Sequence, residues 1–432
     1  MLSKANNDLL TQTNRGTVAG DYFRRFWMPA LLSEEIPVPD CPPVRVRLMG
    51  ECLVAFRDTS GRVALVGQYC AHRQMDLFFG RNEEGGIRCV YHGWKFDADG
   101  KCVDMPSEPD ERLYKDRVQI TSYPTQEHAG IVWAYLGPKD LPVEFPKFEF
   151  NSLPKENFYL RKSLLECNYL QAMEGNLDSS HVGFLHSFSS GTALDPSGKG
   201  HGKRGNLEVS KYQGSRAVFE VKDTEYGCMI GAKRPEQNGR AYWRITQWLL
   251  PVHTLIASAP GETLLWDAWV PVDDHHTWVY RIEYNPWRPL SAKEMYDYNN
   301  VGFTRLNVEN IPGTYLPVRN KGNDYLIDRT LQKTYSFTGI KGTNAQDAAG
   351  VENQGPDPIA DRSQEHLGTS DIAIIQMRRK FLSVLREFKD GMEPPPAFNG
   401  DMYKVRAIAM SLEEGQPFYE GADEYLRVRE PA

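Results

Sequence analysis

Several things are missing from these 432 residues, and each absence closes a class of function. No run of five or more basic residues occurs and the formal net charge is −7, so the chain has no electrostatic footprint for nucleic acid. No apolar stretch approaches the length of a membrane span, and the opening MLSKANNDLLTQTNRGTVAG lacks the apolar core of a secretory signal; a cytoplasmic protein without a membrane partner is expected. Cysteine is scarce and odd in number at seven, with no pattern of pairs outside one short region, which suits free thiols in a reducing compartment. A dinucleotide fingerprint is lacking too. GHGKRG at 200–205 fits G-x-G-x-x-G, but polar GTALDPSGK precedes it and strand-like NLEVSKY follows, the reverse of the strand-to-helix context that the motif requires. No internal repeat is visible.

What is present begins with YCAHRQMDLFFGRNEEGGIRCVYHGW at 69–94, which sets Cys70 two residues before His72 and Cys89 three before His92. Cysteine and histidine at such spacing point to metal. A structural zinc knuckle is one reading, but zinc fingers pair Cys with Cys and His with His, whereas each pair here is mixed. Two loops that each carry one thiolate and one imidazole suit a two-iron cluster in which two Cys hold one iron and two His the other. Gly80, Gly85, Gly86 and Gly93 supply tight turns and open amides around the pairs. With the closing HGW, this segment resembles the Rieske non-haem iron oxygenases, which implies a [2Fe-2S] cluster on Cys70, His72, Cys89 and His92.

The length favours two domains, and 41% hydrophobic with 25% charged residues is ordinary for a soluble globular protein. From Val44 to Leu136 short β-type runs (VRVRLMG, CLVAFRD, VALVGQY, IRCVYHGWKFD, KCVDM, GIVWAYLG) predict a small β-sandwich. Proline-studded GPKDLPVEFPKF at 137–148 reads as a linker. Beyond it come a helical segment over about Leu164–Leu185, long strand-like runs, a long structureless loop from Gly339 to Gly368, and a helix over about Thr369–Phe388. The DDHH stretch reads as a hairpin turn with His275 and His276 exposed. The expected fold class is α+β: an all-β Rieske sandwich over 20–140, then a catalytic domain over 141–432 in which an antiparallel sheet grips a long helix, with residues 1–19 packing on it.

A second constellation lies in CNYLQAMEGNLDSSHVGFLH, where Asp178, His181 and His186 stand at D-x-x-H-x-x-x-x-H spacing. Two His and a carboxylate with open coordination positions are the ligand set of mononuclear non-haem iron, although a helix with two satisfied histidines would read the same way. The wider pattern through Asn168, Gln171, Glu174, Gly175, Asp178, Ser179, Ser180 and His181 resembles the phthalate dioxygenase branch of the family. That resemblance implies Fe(II) on His181 and His186, and makes Asp178 the bridge to a cluster histidine of a neighbouring subunit, hence a trimer or stacked hexamer. The third ligand is expected at Asp371. It opens a helix with a mostly apolar face, where a buried carboxylate needs a cation, and DRSQEHLGTSD resembles the segment that ends in the branch's ligand. A simple N-terminal Asp on the helix dipole is the alternative. Asp347, Glu352 and Glu365 are held in reserve.

Tyr242, Arg244, Thr246 and Trp248 share one strand face by alternation, and an Arg among aromatics would grip a substrate carboxylate at two points. Arg204 is a second candidate for a diacid. The resemblance implies dioxygen as co-substrate, an aromatic carboxylate such as phthalate as substrate, and electrons from a separate flavin and iron–sulfur reductase that oxidises NADH. A monooxygenase of the vanillate O-demethylase type would share both metal sites. A Rieske electron carrier would leave nearly 300 residues and the second ligand set without a purpose.

Overall fold

The computed structural model describes residues 2–109, 114–186, 217–236, 239–300 and 308–428. The chain divides into two compact units, residues 13–143 and residues 1–12 with 144–432.

The smaller unit is built from short strands: β1 (Trp27–Leu32), β2 (Val44–Leu48), β3 (Glu51–Arg57), β4 (Val63–Gly67), β5 (Arg81–Glu83), β6 (Gly86–Arg88), β7 (Lys95–Asp97), β8 (Cys102–Asp104), β9 (Ser122–Tyr123), β10 (Thr125–His128) and β11 (Ile131–Tyr135). They form three sheets in the orders β1-β11-β10, β2-β3-β4-β9 and β5-β6-β7-β8. The hairpins β2–β3, β5–β6 and β10–β11 each turn on two residues with positive φ, the second of them glycine: Met49-Gly50, Glu84-Gly85 and Ala129-Gly130. This is the tight turn whose twist matches paired strands. The Glu84-Gly85 turn sets the register that delivers Cys89 to the end of β6. Leu77, Ile87, Trp94 and Phe96 pack with Cys70 and Cys89 in one buried cluster, so the two ligand loops are rooted in a core.

The larger unit centres on an antiparallel sheet of β12 (Phe158–Leu165), β13 (Val218–Thr224), β14 (Gly227–Pro235), β15 (Arg240–Leu249), β16 (His253–Ile256), β17 (Leu264–Asp273), β18 (His276–Tyr284) and β19 (Ile408–Glu413). Its order is β12-β18-β17-β16-β15-β14-β13, with β19 on β15. All ten residues of β17 are buried, so the sheet is covered on both faces there. Helix α1 (Lys4–Thr11) packs on α2 (Tyr169–Leu177) and on α4 (Ile372–Lys389). Helix α2 lies on β15 to β18 and α4 on β13 and β14, while α3 (Thr343–Glu352) packs on α2. Asp274 and His275 form the turn between β17 and β18, as the DDHH reading expected, and His276 Nδ1 lies 2.9 Å from Asp273 Oδ1.

Two expectations need correction. The single helix over Leu164–Leu185 is a strand to Leu165, then α2, which starts at the Asn168 cap and stops at Leu177. It stops because the Asp178 carboxylate accepts from the Ser180 amide at 2.6 Å and the His181 amide at 3.2 Å, a local turn that competes with further helix. The stretch Gly339–Gly368 is not structureless, since it holds α3. That helix is hidden in sequence because its residues TNAQDAAGVE are small and weakly amphipathic and its cap, Gly342, offers no side chain.

Candidate metal centres

In the smaller unit the ligand loops close by their own hydrogen bonds: Cys70 N to Met75 O at 2.9 Å, and Cys89 N to Trp94 O at 2.9 Å. Gly93 has φ of 79°, and a Cβ there would stand 2.6 Å from Pro106 Cγ, so any side chain after His92 would be strained and would have to push Pro106 aside. The His72 ring stacks on Trp94 at 4.5 Å between centroids and meets His92 edge-on at 4.4 Å. Burial pushes the Cys70 thiol up to about 12, with the neighbouring Cys89 adding to the shift and the His72 and Arg73 amides opposing it. Burial, then His72, lowers the pKa of His92. His72 Nδ1 is buried without a hydrogen-bond partner. Two adjoining buried thiols, two adjoining imidazoles and an orphaned ring nitrogen fit a cluster with a thiolate iron and an imidazole iron.

A single zinc ion fits poorly. Donors on one tetrahedral zinc lie roughly 3.3 to 3.8 Å apart. Among the described residues, the one group of three or more His, Cys, Asp or Glu side chains whose donor atoms fall within 4.8 Å of one another is His181, His186 and Asp347.

That group is in the larger unit. His181 sits on a short turn just after α2 and His186 follows it, so five-residue spacing, which would diverge on a helix, here brings Nε2 to Nε2 at 3.2 Å. Asp347, on α3, places Oδ1 3.0 Å from His186 Nε2 and 3.6 Å from His181 Nε2. Donors at cis positions on one ion with bonds of about 2.1 Å stand roughly 3.0 Å apart, so the spacing suits a shared metal. The outer nitrogens are also engaged. His186 Nδ1 lies 2.7 Å from Gln346 Oε1, and His181 Nδ1 3.5 Å from Asp178 Oδ2. Burial disfavours an ionised Asp178, but hydrogen bonding to His181 and to two backbone amides outweighs it and keeps the carboxyl below its ordinary value.

The structure does not bring Asp371 to this group. Its Oδ2 accepts from the Gly368 amide at 2.7 Å across the short turn that leads into α4, so it sits at the N-terminal end of that helix, the position of its alternative reading on the helix dipole. Two of the reserves are engaged elsewhere: Glu365 pairs with Arg378 at 2.5 Å, and Glu352 accepts from the Glu166 amide and from Tyr325. Asp347 is the reserve that meets the histidines. Gln346 went unnoticed in sequence, and a helix over 343–352 was the signal that could have exposed it.

The residues around the histidines hold α2 in place. Asn168 caps the helix and donates to Thr11 O and Asp274 O; Gln171 donates to Val351 O and accepts from Ala360 N. Glu174 is buried between Arg362 and Arg378 at 3.1 and 2.5 Å. A Cβ on Gly175 would stand 2.6 Å from Val351 Cγ1, so this glycine lets α3 approach with Gln346 and Asp347. Arg244 donates to Ser179 Oγ at 3.2 Å, and Arg234 donates to Ser179 O at 3.2 Å. The register Arg234↔Tyr242 and Ala232↔Arg244 puts both guanidinium groups on one sheet face as diagonal neighbours. Arg204 and GHGKRG lie outside the described residues.

Residues 26–124 match the Rieske [2Fe-2S] domain, and residues 134–406 match the family described as LigXa C-terminal domain like. The chain is 38% identical to the 3-chlorobenzoate-3,4-dioxygenase oxygenase subunit of Comamonas testosteroni, over 93% of each chain. It is also 38% identical to the phthalate 4,5-dioxygenase oxygenase subunit of Pseudomonas putida, over 90% of this chain and 88% of that one. Among solved structures, the NdmA QL mutant with caffeine from Pseudomonas putida CBB5 aligns with a TM-score of 0.59 at 17% identity, covering 92% of this chain and 98% of that one.

Proposed function

Because this chain belongs to the Rieske oxygenases as an oxygenase subunit, we propose that it cis-dihydroxylates an aromatic carboxylate of the phthalate or chlorobenzoate kind. Family membership brings two cofactors, a Rieske [2Fe-2S] cluster and a mononuclear iron, and a need for a separate reductase. In this reading Cys70, His72, Cys89 and His92 hold the cluster, and His181, His186 and Asp347 hold the iron. The reductase is of the flavin and iron–sulfur type and oxidises NADH.

The observation that carries the substrate class is the pair Arg244 and Arg234, both donating to Ser179 two residues ahead of His181. A guanidinium matches a carboxylate at two points, fixing the position of the ring as well as its charge. The names of both relatives denote oxygenases of aromatic carboxylates. The bound iron supplies the activation of dioxygen, with electrons relayed by the cluster. Three protein ligands leave coordination positions open. Asp178 holds His181 through Nδ1, and Arg244 orients the ring beside the histidine pair. The balance is one ring, one O2, two electrons and two protons to one cis-dihydrodiol, the electrons coming from NADH.

The test is product analysis under labelled oxygen with phthalate, isophthalate, terephthalate, 3-chlorobenzoate and vanillate, with a reductase supplied. A diol carrying two label atoms is expected from a ring carboxylate. Formaldehyde from vanillate, or a single label atom on the ring, would replace dioxygenation with the monooxygenase reading. Indifference to the carboxylate would remove the role of the arginines.

A further inference from the structure

Gln346 precedes Asp347 on α3 and is buried, and its two amide atoms face different partners. Nε2 donates to Ile340 O at 2.8 Å, while Oε1 lies 2.7 Å from His186 Nδ1. A backbone carbonyl only accepts, so the amide has one satisfactory orientation, with NH2 toward Ile340 and oxygen toward the imidazole. An amide oxygen facing Nδ1 demands a proton there, and in neutral imidazole a proton on Nδ1 leaves the lone pair on Nε2. Nε2 is the atom that points at Asp347 Oδ1 and His181 Nε2. A run of one carbonyl, one amide and one ring therefore sets the tautomer of His186.

We propose that Gln346 is a positioning residue that locks His186 in the Nδ1–H tautomer, so that Nε2 is presented as a metal donor before any metal arrives. Adjacent residues of α3 thus supply one ligand, Asp347, and the orienting partner of another. This couples the helix to two of the three donors, and any displacement of α3 alters both together. The inference rests on the iron site as read above. Partners that orient ligating histidines characteristically contribute about 10- to 100-fold in metal affinity.

The experiment is competition for Fe(II) against a calibrated chelator, and the absorption of Co(II) bound at the site, on full-length protein whose cluster spectrum shows it folded. Gln346→Leu keeps the approximate volume and removes the acceptor; its Fe(II) affinity should fall about 10- to 100-fold, with altered Co(II) bands. Gln346→Glu keeps an oxygen toward Nδ1 but loses the amide donor to Ile340, and should bind within about threefold of wild type. If the residue only tethers Ile340, Glu should be as harmful as Leu, and that result overturns the proposal. So does Gln346→Leu binding as wild type while His186→Ala and Asp347→Asn lose the metal. Wild-type affinity in those last two variants would instead displace the iron site itself.

Discussion

Asp347 and Asp371 differ in what surrounds a single carboxylate. Asp347 Oδ1 faces two imidazole nitrogens within 3.6 Å, whereas Asp371 satisfies the Gly368 amide in the turn that leads into α4. His181→Ala, His186→Ala and Asp347→Ala should each lose iron and turnover while keeping the cluster spectrum. Asp371→Ala should keep its iron and lose only about 0.5 to 1.5 kcal/mol of stability, the usual net worth of one hydrogen bond. Metal analysis beside thermal unfolding separates the two, and iron loss in Asp371→Ala would restore it as a ligand. Arg244→Lys keeps the charge but not the planar two-point contact. It should raise KM for an aromatic carboxylate about tenfold or more, the equivalent of roughly 1.5 kcal/mol for a charge-assisted contact, and leave an uncharged aromatic ligand unaffected. Equal losses for both ligands would make this arginine structural.

Helix α2 is where sequence and structure part company most usefully. The motif residues Asn168, Gln171, Glu174 and Gly175 were legible as a pattern, but their work is to cap, tether and admit neighbouring segments, which only tertiary contacts reveal. The cysteine and histidine spacing was readable because a tight loop keeps its ligands local. The proposed third iron ligand, Asp347, was not, because it arrives from α3, some 160 residues along the chain and poor in apolar periodicity. Glu174 gives this helix a measurable acid sensitivity. Burial disfavours its charge, yet Arg362 and Arg378 hold its carboxyl below the ordinary value. A lowered folded pKa means that the stabilisation is fully present above the unfolded value of about 4.3 and is lost as pH falls through the folded value. Glu174→Gln should therefore cost about 3 to 5 kcal/mol at pH 7, by leaving buried guanidinium groups undercompensated. Its deficit should shrink as pH drops below 4 in urea unfolding followed across pH 7 to 3. A deficit independent of pH would mean that lost packing, and not charge, is responsible.

The two proposed metal sites fall in separate compact units, so each should survive loss of the other, and in the proposed function turnover needs electrons to pass from one site to the other. Cluster removal by Cys70→Ser should abolish the visible chromophore and leave Fe(II) binding at His181, His186 and Asp347 intact. Asp178→Asn tests the connection itself. The aspartate follows α2 directly, is held ionised, and touches His181 through Nδ1, so its charge is already committed to one imidazole. In the bridging role that the family resemblance implies, its remaining capacity engages His72 or His92 of a neighbouring subunit, which requires a head-to-tail ring, most simply a trimer. Asparagine keeps the size and one acceptor oxygen, which retains the shorter bond from the Ser180 amide to Oδ1 and gives up the longer one from the His181 amide to Oδ2, so α2 and both metal sites should persist. What it loses is the negative charge that attracts imidazole N–H on both sides. The variant should therefore carry a full cluster that the reductase still reduces, bind iron normally, and form product at least about a hundredfold more slowly, a barrier increase of roughly 2.7 kcal/mol. Rapid mixing of the pre-reduced variant with substrate and oxygen, watching the cluster reoxidise, reads this step apart from reduction and binding. Reoxidation at the wild-type rate, or full activity in a monomer, would assign Asp178 to holding His181 alone and send the electron by another route.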